Sequence, residues 1–104
     1  MGNPFAGEVT VTVDGTPRVM KLTLGALAEL EAELGADNLV ALIARFEGGD
    51  VSARDVLSLI VAGLRGGGWA VTRADLLAAQ IEGGPVSAAK AAGDLLARAF
   101  AQPL

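Results

Sequence analysis

Glu8-Val9-Thr10-Val11-Thr12-Val13-Asp14-Gly15-Thr16-Pro17-Arg18-Val19-Met20-Lys21-Leu22-Thr23 decides the fold class. Its first six residues alternate strictly. Val9, Val11 and Val13 lie on one face, and Glu8, Thr10 and Thr12 on the other, which is the pattern of a half-buried strand rich in β-branched residues. Asp14-Gly15-Thr16-Pro17 is turn chemistry, because Gly15 tolerates positive φ and Asp14 can bond nearby backbone. A second run from Arg18 to Thr23 follows, with Met20 and Leu22 on one side. Two such runs split by Asp-Gly predict a β-hairpin. A two-stranded sheet is marginal alone, so it must lean on helices or on a partner's sheet.

Downstream of the hairpin, glycine breaks at Gly48-Gly49, Gly66-Gly67-Gly68 and Gly83-Gly84 cut the chain into short alanine-rich helices. The expected fold is α+β: an N-terminal hairpin over 8–23, then about five short helices over 24–101, mostly α. Residues 1–7 read as a flexible leader, and all 104 residues as a single domain. Helix one starts at an N-cap, Thr23, and ends at Gly35, with Leu24, Leu27, Leu30 and Leu34 as its apolar stripe and Glu29, Glu31 and Glu33 facing away. Helix two is read as capped by Asp37, with Leu39, Leu42, Ile43 and Phe46 at core spacing. Ser52-Ala53-Arg54-Asp55 and Thr72-Arg73-Ala74-Asp75 are acidic capping boxes that open helices three and four. Helix five begins at Pro85, with Val86, Ala89, Gly93, Leu96 and Phe100 as its expected buried stripe, and the tail 102–104 is expected to fray.

Composition narrows the chemistry. Without cysteine or histidine the chain has no thiolate nucleophile, no disulfide and neither of the commonest soft metal ligands. A net charge of −4, with basic residues scattered singly, argues against a nucleic-acid grip. No leader combines positive charge with an apolar run, and the longest apolar stretch, Val56 to Leu64, is too short for a bilayer. A soluble, cytoplasmic protein without cofactor or membrane partner is expected.

Several groups of residues are candidates for chemistry or for contact with a partner. Asp55 and Asp75 form an imaginable acid and base pair, but both fall at the third helical position, where a carboxylate caps backbone N–H groups, and capping is the better reading. Glu29, Glu31 and Glu33 with Asp37 make an acidic patch whose side chains do not converge as metal ligands would. Gly66-Gly67-Gly68 lacks the Gly-Lys-Ser/Thr ending and the preceding strand of a phosphate loop, so it reads as a linker or helix cap. Trp69, alone after three glycines, is either a core anchor or an exposed hot spot for a partner. The Val9 and Val11 face poses the same alternative, packing on the helices or adding to another sheet. Arg65 and Phe100 complete the residues singled out for partner binding. No enzyme site can be assembled from these residues.

Several blocks together resemble a family of small tail proteins encoded in the gene transfer agents of alphaproteobacteria and related prophages. They are Asn3-Pro4-Phe5-Ala6-Gly7-Glu8-Val9, Leu22-Thr23-Leu24-Gly25-Ala26-Leu27-Ala28-Glu29-Leu30-Glu31, Ser52-Ala53-Arg54-Asp55-Val56-Leu57, Gly63-Leu64-Arg65-Gly66-Gly67-Gly68-Trp69 and Glu82-Gly83-Gly84-Pro85. Members are labelled either tail tube proteins or tail assembly chaperones. A tube subunit usually needs a large β-sandwich, and only two strands are readable here, so a chaperone is the expectation. The resemblance then implies two partners, the tape-measure protein and the tail tube protein, with self-association also compatible. The alternative is a structural tail part: tube, terminator or connector.

Overall fold

The computed structural model describes residues 7–101, and of Ala36, Asp37 and Ala101 it describes the backbone alone. Residues 1–6 of the expected leader 1–7, the fraying of 102–104 and any role of the Asp37 side chain lie outside the described residues. The elements are β1 (Glu8–Val13), β2 (Thr16–Lys21), α1 (Leu24–Leu34), α2 (Ala36–Gly48), α3 (Ala53–Gly66), α4 (Arg73–Leu77) and α5 (Gly84–Ala101). This is the α+β order expected, a hairpin followed by five helices.

The strands pair antiparallel, with Val9 opposite Met20, Val11 opposite Arg18 and Val13 opposite Thr16. Asp14 and Gly15 both take positive φ, at 50° and 82°, which is the two-residue type I′ turn that matches strand twist. Pro17 sits opposite Thr12. Having no N–H, it fits only a pair whose backbone groups face away from the partner strand. By alternation the outward-facing groups are then those of Glu8, Thr10 and Thr12 on β1, and of Val19 and Lys21 on β2.

The valine face is buried. Val9, Val11, Val13, Met20 and Leu22 join one core with Leu30, Leu42, Leu59, Ile60, Leu64, Val71 and Leu95. α3 is the hub, packing on β2, α5, α1 and α4. Its Leu59, Ile60 and Leu64 are essentially inaccessible, and each contributes about 1.5–3 kcal/mol by burial. Gly63 lets Leu95 and Met20 close over α3, since a Cβ there would meet Leu95 Cδ2 at 2.6 Å.

Both capping boxes form. Ser52 Oγ accepts from the Asp55 N–H at 3.1 Å and Asp55 Oδ2 accepts from the Ser52 N–H, and Thr72 with Asp75 repeats the exchange. Thr23 caps α1 through the Ala26 N–H at 3.0 Å.

Three helix readings need correction. α2 begins at Ala36 with Gly35 at its N-cap and no side-chain cap bond, so Asp37 is not its cap. Leu24 is 85% exposed, and α1 buries Ala26 in its place beside Leu30, which the stripe included. On α5 the core side is Ala88, Ala92, Leu95 and Leu96, whereas Val86 and Phe100 are 82% and 56% exposed. Of the expected stripe Leu96 is buried, whereas Val86 and Phe100 at its ends face outward.

Candidate functional site

Among the described residues no group of acidic side chains is placed to hold a metal ion, and no helix is long and apolar enough to cross a membrane. What the fold offers is surface, and the sheet edges decide much of its character.

Each edge of the hairpin is occupied by the chain itself. Along β1, the Glu82 N–H donates to the Thr12 carbonyl at 2.9 Å and the Asp14 N–H donates to the Gln80 carbonyl at 2.8 Å. Val13 and Ile81 form an antiparallel bridge. Asp14 Oδ1 accepts from the Gln80 N–H, and Arg98 Nη1 donates to the Glu8 carbonyl at 2.7 Å. Along β2, the C-terminal turn of α3 lies hard against the strand. A Cβ on Gly66 would stand 1.9 Å from the Lys21 carbonyl oxygen, and one on Gly67 2.0 Å from that of Val19. The glycine run is therefore more than a linker, because it lets a helix end seal a sheet edge by backbone contact.

Val9 and Val11 are 7% and 6% exposed. Of the two alternatives for that face the structure has the inward one, so these valines present no side chain to a partner. Trp69 packs half-buried against the core, and the Arg18 guanidinium lies over its ring at 4.1 Å. Arg18 Nε is buried without a hydrogen-bond partner, so the ring face is the main compensation for placing the cation there. Arg18→Ala is expected to cost about 1 kcal/mol or less in urea unfolding and to shift Trp69 fluorescence as the ring becomes hydrated. Unchanged emission would mean that the stack does not persist in solution.

Arg65 is committed to the fold: its Nε donates to Glu29 Oε1 at 3.1 Å and its Nη1 to the Val71 carbonyl. Arg73 likewise reaches Glu33 Oε1 and Ser58 Oγ. Glu29 and Glu33, one turn apart on α1, stay exposed as a solvated face does, and from there reach α3 and α4 through surface ion pairs. Glu31 is exposed. Asp55 accepts two bonds from Arg45, at 2.8 and 2.7 Å, tying α2 to the start of α3. That guanidinium, helped by the Ser52 backbone bond, holds the Asp55 carboxyl down at about 2. Asp75 is also lowered, by the Thr72 backbone N–H first. Both aspartates are capping groups, as expected.

Arg65 is nonetheless exposed, and the singled-out apolar side chain that stays accessible is Phe100. It borders a groove of about 270 Å³ between α2 and α5, lined by Ile43, Phe46, Glu47, Gly93, Leu96, Ala97 and Phe100. Ile43 and Phe46 were read as core, and nothing local in the sequence shows that they rim an open groove. The structure does not bring Trp69, Arg65 and Phe100 together into one site.

A family model described as "Phage tail tube protein, GTA-gp10" matches residues 6–102. No curated protein matches the chain, and no solved structure does.

Proposed function

The chain belongs to the phage tail tube protein, GTA-gp10, family, and from that premise we propose that it is a structural part of a phage-like tail. The match across residues 6–102 carries this reading, since it spans every described element. The role asks for no chemistry. The chain contributes contact surfaces to other tail proteins and makes or breaks no bond. Quantitative mass spectrometry of purified particles tests it. The chain is expected in fixed stoichiometry with the other tail proteins, and its depletion to trace level would overturn the reading.

One observation favours a second reading, a tail assembly chaperone that coats the tape-measure protein and recruits tube subunits. The sheet has two strands, and both of its edges are engaged by the chain's own segments. Extension from subunit to subunit by strand pairing, the usual way a β-walled tube is closed, would require displacing them. Helix faces and the α2–α5 groove suit an amphipathic helical partner better. A chain missing from particles yet co-purifying with the tape-measure protein would select this reading over the first.

A further inference from the structure

The fold gives each arginine that it draws in from solvent an oxygen to bind, with one exception. Arg45 holds Asp55, Arg73 holds Glu33, and Arg98 holds the Glu8 carbonyl. Arg18 is half-buried as they are, yet it makes no hydrogen bond and no ion pair among the described residues. Its guanidinium lies 4.1 Å from the centre of the Trp69 ring. Nε is sealed from solvent without a partner, whereas Nη1 and Nη2 are not sealed. The end of the fork is therefore the part of the guanidinium that solvent reaches.

We infer that Arg18, stacked on Trp69, is a docking point for an aspartate or glutamate carboxylate on a neighbouring tail protein. A ring on the face of a guanidinium leaves its edge free, and the edge is where a carboxylate binds through two parallel hydrogen bonds. The stack also restrains a long side chain before the partner arrives, which lowers the ordering cost of binding. Trp and Arg are the side chains that most often dominate the binding energy of protein interfaces. Trp69 acts here as the platform and Arg18 as the contact.

Charge selects the occupant. A phosphate backbone is gripped by clustered Lys and Arg, which a chain of net charge −4 with scattered basic residues does not offer. A single carboxylate needs one fork. Copies of a chain with that net charge repel one another, which favours a different protein as the donor of the carboxylate. The residues flanking the pair, Pro17, Gly68 and Ala70, are exposed and uncharged, so a partner closing over it desolvates no second charge on them. The contact is made by side chains and leaves the covered strand edges as they are. The inference rests on the reading of the chain as a tail protein that works through contact surfaces, and it holds for either role given above.

Cross-linking tests it. Arg18→Lys keeps a cation that can stand over the ring and supplies an amine, which a carbodiimide couples to a touching carboxylate as an amide. The complex that this variant forms in tail-producing cells would be purified, treated and digested. A link from position 18 to an aspartate or glutamate of another tail protein is expected. Arg18→Gln is expected to lower recovery of the complex about tenfold or more, with an unchanged fold by circular dichroism. Undiminished recovery with Arg18→Gln overturns the proposal. So does the absence of a link from position 18, a link only within the chain or between its copies, or a chain that enters no complex. Depletion of the chain from finished particles defeats its reading as a structural part and leaves this inference standing.

Discussion

Gly66→Ala is expected to cost about 3 kcal/mol or more and to lower the melting temperature by more than about 10 °C. On helix propensity alone the substitution should stabilise, since alanine is favoured over glycine by about 1 kcal/mol in a helix interior. The contact decides the sign. The new Cβ would stand 1.9 Å from the Lys21 carbonyl oxygen and 3.2 Å from Ala26 Cβ. Neither neighbour is the loose end of a long side chain. Lys21 is held in register opposite Glu8, and Ala26 belongs to the first turn of α1. The helix end must therefore lift off the strand, uncovering Met20 and Leu64. Gly67→Ala should behave alike, since its φ of −81° suits alanine and the 2.0 Å approach to the Val19 carbonyl is its only conflict. Gly68→Ala is the control. Its φ of 105° is strained for alanine, but no atom lies within 4 Å of the added Cβ, so it should cost about 1–3 kcal/mol of backbone strain alone. Thermal unfolding of the three variants checks this. A Gly66→Ala protein that melts above the parent would show that α3 does not seal the β2 edge.

The second large effect is at Asp55, 8% exposed and bound by Arg45 and Ser52. Removing the carboxylate takes away the capping box of α3 and the tie to α2 together. Asp55→Ala is expected to destabilise by about 3 kcal/mol, and Asp75→Ala, which loses only an exposed cap, by clearly less. The pH dependence has a definite sign. The Asp55 carboxyl drops from 3.8 to about 2 on folding, so the unfolded chain binds the proton more readily. Its stabilisation is complete above pH 4–5 and is lost as pH falls through the folded value near 2. That amounts to about 2 kcal/mol. Urea unfolding of parent and Asp55→Asn between pH 2 and 5 should show this loss in the parent and its near absence in the variant. Parallel curves for the two proteins would remove Asp55 as the origin.

The hairpin was legible because its signals are local and agree, period-two valines and an Asp-Gly turn, although Thr16 and Pro17, read as turn, belong to β2, which ends at Lys21 instead of Thr23. The starts of α1, α3 and α4 were legible for the same reason, since a cap and its third-position partner lie within one turn. α5 was misphased because alanine makes it apolar on two sides. Leu95 and Ala92 draw one side inward, and that choice is made by β1 and α3, not by the helix. The glycine run gave its own flexibility away but not its purpose, because a close approach depends on the strand it meets. Arg45 with Asp55, Arg65 with Glu29 and Arg73 with Glu33 join residues 10, 36 and 40 positions apart, separations that leave no periodic trace. Phe100 was placed in an expected buried stripe, and only the packing shows that its side of α5 faces outward.

Hydrogen exchange at the backbone amides of Thr10, Thr12, Val19 and Lys21 is the most direct probe of a subunit that joins its neighbours through helix faces while its sheet stays closed. It would be measured on the chain alone and in the largest complex purified from tail-producing cells. Rates at these four amides should be the same in both. Marked slowing at any of them on assembly would mean that neighbouring strands pair with the hairpin, and that the segments covering its edges give way.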